Sequence, residues 1–283
     1  MLNKNIHTFI GCDHEYGDSD IVLFGAPFDS TTSYRPGARF ASAAIRNESY
    51  GIETYSPYLD KDLTDIRVFD AGDLELCFGN PQKAIAAIEA FTAQVFRDHK
   101  LPMMVGGEHL VTLGAIQAAV QQYPDLQIIH FDAHLDLRDD YLGEKLSHAT
   151  VMRRCWELTG DQRIFQFGIR SGEREEFSWA KDHVVTQRNN FAGLEQVVTK
   201  LIGKPVYLTI DLDVLDPACF PGTGTPEAGG VSFADLQAAI SLVTQLNVIA
   251  ADMNELAPIY DPSGASTALA CKTLRELLLQ LSA

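Results

Sequence analysis

The chain has 283 residues, 46% of them hydrophobic, enough to bury one large α/β core without requiring a second domain. Its formal net charge of −16 and pI near 4.8 argue against a nucleic-acid partner, whose phosphate backbone calls for basic surface. The acidic balance suits a cationic small molecule, and equally a plain acidic surface on a cytoplasmic protein.

Five scattered cysteines (Cys12, Cys77, Cys155, Cys219, Cys271), never spaced as C-x-x-C, make neither a disulfide framework nor a thiolate zinc site. The first 20 residues hold no continuous apolar run of the kind a signal peptide needs, and no later run approaches the roughly 20 apolar residues of a membrane span. The expectation is a cytoplasmic protein without a membrane partner: one domain over 1–283, with 1–20 as an N-terminal extension.

Beyond that extension, short β-rich runs alternate with longer amphipathic stretches. IVLFGAPF (21–28) and IRVFDAG (66–72) read as strands, and AIAAIEAFTAQVFRD (84–98) as a helix whose apolar residues recur every three or four positions. PMMVGGEH (102–109), IIHFDAH (128–134), RIFQFGIR (163–170), HVVTQR (183–188) and PVYLTIDLDV (205–214) read as further strands. The Gly/Pro-rich DPACFPGTGTPEAGG (216–230) reads as an ordered loop, FADLQAAISLVTQL (233–246) as a helix and VIAADMNEL (248–256) as the eighth strand. Repeated βα units predict a mostly parallel sheet covered on both faces, with ligands bound beyond the carboxyl ends of its strands.

Three clusters fall where predicted strands finish: GGEH (106–109), DAHLD (132–136) and DLD (211–213). His109, Asp132, His134, Asp136, Asp211 and Asp213 supply four carboxylates and two imidazoles, a set suited to divalent ions such as Mn²⁺, and two such ions would balance the four aspartates. An isolated Asp-x-Asp is usually a turn or cap, and an isolated His an ordinary hydrogen-bonded residue. Gathered at buried strand ends, however, four carboxylates repel one another and lose hydration unless a cation is present, and the clusters contain no Arg or Lys. On an extended strand Asp132, His134 and Asp136 share one face, but the outer two would stand roughly 13 Å apart. The chain is therefore expected to curl near His134, while Asp211 and Asp213 share a strand face and Leu135 turns towards a helix layer.

GGEH, FDAHLD, SHAT, DLDVLDP and GTGTPEAGG together resemble the ureohydrolases (arginase, agmatinase and relatives), from about residue 20 to the C-terminus. The resemblance implies a three-layer α/β/α arginase-like fold with a mostly parallel eight-stranded sheet and two Mn²⁺ per chain. It implies one ion on His109, Asp132, Asp136 and Asp211 and another on His134, Asp132, Asp211 and Asp213, with Asp132 and Asp211 bridging. Asp136 would also aim the attacking oxygen. His148, in LSHAT, would carry a proton to the leaving amine, its alternative role being to cap the helix that follows. Glu255, in DMNELAP, would pair with the substrate guanidinium through two charge-assisted hydrogen bonds, unless it is only a strand-end surface residue. Thr225 would place a hydroxyl near the substrate, or the glycine-rich loop serves only its turns. Glu173, Glu175 and Glu176 would receive a distal ammonium, or form a solvated helix face. His7, His14, His99, His130 and His183 have no motif behind them.

Arg138 and the following DDYLGEKLSHAT, the RSG after GIR and the GTGTPE loop are similar to agmatinase of the shorter bacterial type. Hydrolysis of agmatine to putrescine and urea is the leading expectation, with guanidinobutyrase, aminopropylagmatine ureohydrolase and arginase as alternatives. Arg138 would oppose a substrate ammonium unless paired with Asp139, Asp140 or Glu144. From other classes, a deacetylase-like enzyme would use one zinc and a noncatalytic relative would have lost a ligand, whereas all six are present. The family resemblance further implies a homo-trimer or homo-hexamer acting on a small cationic guanidino substrate.

Overall fold

The computed structural model describes residues 7–282, so the first six residues of the expected extension lie outside it. From Phe9 onward that segment is not free. Phe9 and Cys12 are fully buried, and the Phe9 N–H donates to Asp70 Oδ2 at 2.8 Å.

The strands are β1 (Ile21–Ala26), β2 (Tyr55–Ser56), β3 (Lys61–Asp62), β4 (Val68–Asp73), β5 (Leu101–Gly106), β6 (Gln127–Phe131), β7 (Ile164–Ile169), β8 (Val185–Arg188), β9 (Pro205–Asp211) and β10 (Asn247–Asn254). β2 and β3 form a small antiparallel pair; the other eight make one sheet in the order β4-β1-β5-β10-β9-β6-β7-β8, every neighbouring pair parallel. All eight expected strands are thus found. The six inner strands β1, β5, β10, β9, β6 and β7 are buried along nearly their whole length because a covered parallel sheet buries both faces, while the edge strands β4 and β8 are not.

The helices are α1 (Ala41–Glu48), α2 (Pro81–Arg97), α3 (Thr112–Gln122), α4 (Val151–Thr159), α5 (Arg174–His183), α6 (Leu194–Leu201), α7 (Phe233–Val243) and α8 (Ala265–Leu281). α2 starts where it does because the Asn80 side chain accepts the Lys83 N–H and Pro81 occupies the first turn, where no amide proton is needed. Successive strand residues point to opposite faces, so Val206, Leu208 and Ile210 pack with α1, α6, α7 and α8, while Tyr207 packs with α2 to α5. Leu135 joins the second of these cores, as its alternation anticipated.

Strand order decides where chemistry can occur. The last two strands insert between β5 and β6, so the carboxyl ends of β5, β10, β9 and β6 stand side by side at the sheet centre. Chain segments far apart in sequence meet there. Among the described residues no helix is long and apolar enough to cross a membrane.

Candidate metal centre and substrate cleft

Apart from Asp211, the last residue of β9, the predicted ligands lie just past the strands rather than on them. β5 stops at Gly106, and His109 opens a 3₁₀ turn, His109–Val111. A Cβ at Gly106 would come within 1.8 Å of Asn254 Oδ1, and one at Gly107 within 1.9 Å of the Phe28 carbonyl oxygen, so only glycine lets this turn sit against its neighbours. β6 ends at Phe131, earlier than expected, so Asp132, His134 and Asp136 do not share a strand face; the curl begins before Asp132 and includes Asp136 at φ +52°. β9 ends at Asp211, whose Oδ1 accepts the Asp213 N–H at 2.8 Å and starts the 3₁₀ turn Leu212–Val214. That turn, not a shared strand face, aims Asp213. β10 ends at Asn254, leaving Glu255 at φ +66°. Left-handed backbone is unfavourable for non-glycine residues, and its appearance at two site residues marks positions held by their surroundings.

All six predicted ligands converge. His109 Nδ1 lies 3.1 Å from Asp132 Oδ2, 3.2 Å from Asp136 Oδ2 and 3.5 Å from Asp211 Oδ2. His134 Nδ1 lies 3.0 Å from Asp213 Oδ2 and 3.4 Å from Asp132 Oδ1, so the two oxygens of Asp132 face different histidines. The His109 tautomer follows from its other nitrogen. Thr209 Oγ1 gives its single proton to Asp252 Oδ1 at 2.6 Å and accepts from His109 Nε2 at 2.9 Å. In the neutral ring His109 Nδ1 is then a fully buried lone pair, without a hydrogen-bond partner, among three carboxylate oxygens. Lone pairs gathered in this way must be met by positive charge, either protons or a divalent cation. The ion-pair partners of these four aspartates among the described residues are histidines, with no Arg or Lys.

The electrostatics agree. Burial, with the charge of Asp132, pushes the Asp136 carboxyl up to about 7. Burial and the charges of Asp213 and Asp132 carry Asp211 well above the usual carboxylate range. Burial would raise Asp132 too, but His130, His109 and His134 hold it well below that range. His109 and His134, which burial would deprotonate, are instead raised well above an ordinary imidazole by the carboxylates around them.

A buried polar layer beneath the centre was missed from sequence. His130, without motif support, donates from Nε2 to Asp132 Oδ2 at 2.7 Å, its Nδ1 being occupied by Gln166 Nε2 at 3.0 Å; it braces a carboxylate rather than offering a lone pair. Asp252 also accepts from Tyr207 and Asn254. The available signal was the interruption of buried strands by single polar residues at alternate positions: His130 in IIHF, Gln166 in IFQF, Thr209 in YLTID and Asp252 in AADMN.

The metal-facing side opens on a cavity of about 290 Å³ lined by His148, Glu255, Thr225, Glu173 and Arg138, among others. His148 sits in the 3₁₀ turn His148–Thr150, which Ser147 and Thr150, not His148, cap. Its Nδ1 donates to the Thr31 carbonyl at 3.0 Å, leaving the Nε2 lone pair, 3.2 Å from Ser33 Oγ, towards the cleft. Burial pushes its pKa down to about 4. Glu255 is buried, not a surface glutamate, and its Oε1 already accepts the His109 N–H at 2.6 Å, leaving Oε2 for another donor. Thr225 Oγ1 donates to Asp213 Oδ2 at 3.3 Å. Glu173 is the N-cap of α5 with Glu176, and the expected partners of Arg138 are not its partners. Arg138 Nη1 lies 3.0 Å from Glu173 Oε1 and its Nε 3.7 Å from Glu176 Oε2, because α5 starts beside it, while Asp139 pairs with Arg154.

Residues 19–280 match the model of the Arginase family. The chain is 49% identical over 276 residues to the agmatinase of Bacillus subtilis, spanning 96% of this chain and 95% of that protein. A solved Clostridium difficile protein described as a candidate agmatinase superposes with a TM-score of 0.92 at 50% identity, covering 95% of this chain and 99% of that one. The agmatine ureohydrolase of Thermoplasma volcanium superposes at 0.89 and 33% identity, covering 98% and 95%. A His/Asp cluster at the carboxyl ends of the central strands of such a sheet and a likeness running almost end to end lead to one conclusion: the chain belongs to the arginase family of ureohydrolases.

Proposed function

We propose that this chain is a manganese-dependent hydrolase that converts agmatine to putrescine and urea, working as one domain in the cytoplasm and as a homo-trimer or homo-hexamer. The observation that carries the reading is the buried His109 Nδ1, without a hydrogen-bond partner, facing the oxygens of Asp132, Asp136 and Asp211. In this reading His109, Asp132, Asp136 and Asp211 hold one Mn²⁺, and His134, Asp132, Asp211 and Asp213 a second. Bound there, the ions supply Lewis acidity and make water acidic enough to lose its proton near neutral pH.

The chain's own groups do the rest. Asp136, at the cleft wall, accepts a hydrogen bond from the attacking water and aims it at the guanidinium carbon. Glu255 Oε2 and Thr225 face the guanidinium. His148 is neutral at working pH, since burial holds its pKa down to about 4, so it must take a proton before it can give one. Its Nε2, whose one partner among the described residues is the Ser33 hydroxyl, therefore acts as a shuttle, collecting a proton from the attacking water and delivering it to the departing amine.

The outer end of the cleft favours an amine tail. The charge of Arg138 is met by Glu173 and approached by Glu176, and its guanidinium lies over the Tyr141 ring at 4.4 Å, so one cation stands against two carboxylates. A carboxylate tail, as in guanidinobutyrate, would meet that acidic rim unfavourably. Urea release by the Mn²⁺-loaded chain from agmatine, arginine, guanidinobutyrate, aminopropylagmatine and guanidine, compared side by side, tests the proposal. Agmatine is expected to have the highest kcat/KM; another substrate ahead of it by orders of magnitude defeats the specificity.

A further inference from the structure

Glu108 stands next to a proposed ligand but is not aimed at the metal centre. It is fully buried and has no Lys, Arg or His within ion-pair distance among the described residues. A buried carboxylate without a cation is costly unless hydrogen bonds satisfy it. Three do, all from one loop after β1. The Thr31 N–H donates to Oε2 at 2.9 Å, the Thr31 hydroxyl to Oε1 at 2.6 Å and the Thr32 hydroxyl to Oε2 at 3.2 Å.

The same loop grips His148 from the other side. Thr31 Oγ1 accepts the His148 N–H at 3.1 Å, the Thr31 carbonyl accepts from His148 Nδ1 at 3.0 Å, and Ser33 Oγ stands 3.2 Å from His148 Nε2. Proton direction makes this a chain rather than a set of contacts. When ionised, Glu108 only accepts, so the single proton of the Thr31 hydroxyl then points to it, and the lone pair left over points at the His148 amide. Charge-assisted bonds are shorter and stiffer than neutral ones, so the carboxylate fixes Thr31 more firmly than an amide would.

We infer that Glu108, acting through Thr31, is the positioning residue for His148: it holds the loop whose carbonyl selects the Nδ1–H tautomer and turns the Nε2 lone pair into the cleft. Glu108 touches no reacting atom in this arrangement. The inference rests on the proposed role of His148 as proton carrier and extends it to two residues that are not themselves proposed metal ligands.

The test compares Thr31→Val, Thr31→Ser and Glu108→Gln in the wild-type and His148→Asn backgrounds, on the full Mn²⁺-loaded chain, reading kcat and KM for agmatine, metal content and melting temperature. Thr31→Val keeps shape and carbonyl but removes the hydroxyl. Glu108→Gln sets an amide donor against either the Thr31 hydroxyl or the Thr31 N–H, whichever way the amide turns. Each is expected to lower kcat about tenfold or more with KM within about threefold and metal content unchanged, a loss on the scale of imperfect proton transfer. Thr31→Ser should stay within about threefold of wild type, and in the His148→Asn background Thr31→Val should cost no more than about twofold, because both act on one step. Equal losses from Thr31→Val in both backgrounds, or wild-type rates from Thr31→Val and Glu108→Gln beside a slow His148→Asn, overturn the inference and leave the proposed function standing. A His148→Asn enzyme at full speed removes the shuttle itself and this inference with it. If Glu108→Gln does not fold, the Thr31 pair decides alone.

Discussion

At the scale of single residues, the site is a concentration of charge that the polypeptide does not neutralise with Arg or Lys. The folded protein without metal holds protons on Asp136 and Asp211 that the unfolded chain, with carboxyl pKa values near 4, would release. His109 and His134 are raised as well, so the stability they contribute is present below their unfolded value near 6.5 and fades as pH rises. These four groups act in one direction and outnumber His148 and His130, which burial holds low and which act the other way over this range; Asp132, held low, matters only in stronger acid. The metal-stripped protein should therefore melt at lower temperature at about pH 8 than at about pH 5, and added Mn²⁺ should raise the midpoint more at the higher pH. A stripped protein whose midpoint rises over that interval, or ignores Mn²⁺ at pH 8, contradicts this account. The layer beneath matters equally. Asp252→Asn removes the acceptor that orders Thr209 and hence the His109 tautomer, and should weaken Mn²⁺ binding about 10- to 100-fold in an equilibrium titration, while an unchanged affinity would separate the layer from the metal.

At the scale of elements, strands could be read and their ends could not. Runs such as PVYLTID are apolar throughout because both faces of a parallel sheet are covered, and that signal survives without any knowledge of neighbours. Where β6 stops is a different matter. Asp132 accepts the His134 N–H at 2.6 Å, a side-chain bond competing with the ladder, and nothing in the alternation of FDAHLD announces it. Arg138 shows the same limit. Its charge was evident, but its partners come from the start of α5, more than thirty residues on, rather than from the acidic residues beside it. One long-range device holds the sheet edge: Arg46 of α1 pairs with Asp70 at 2.8 Å and with Asp73, fastening β4 beneath the N-terminal segment. Arg46→Met would strand a buried carboxylate and should cost about 3–5 kcal/mol in a denaturant melt, whereas a loss under about 1 kcal/mol would mean that water or rearrangement satisfies Asp70.

At the scale of the whole molecule, the described chain leaves several large apolar side chains in solvent, Phe40, Tyr50 and Ile259 among them, each more than half exposed. Such groups on an otherwise acidic surface suit contact between copies, in keeping with the proposed trimer or hexamer. Light scattering should return a mass of three or six chains, and a monomer across micromolar concentrations would remove that part of the proposal.

The sequence by itself determined the inventory: eight strands, a parallel sheet, and six candidate metal ligands of suitable hardness, because periodicity and ligand chemistry are local properties. It could not determine convergence. That β9 and β10 slot between β5 and β6, that His130 and Thr209 orient the ligands from below, that Glu173 meets Arg138 and that Glu108 reaches His148 through Thr31 are contacts between segments distant along the chain. Only the packed structure sets them, because a hydrogen bond or ion pair depends on distances that sequence separation does not encode.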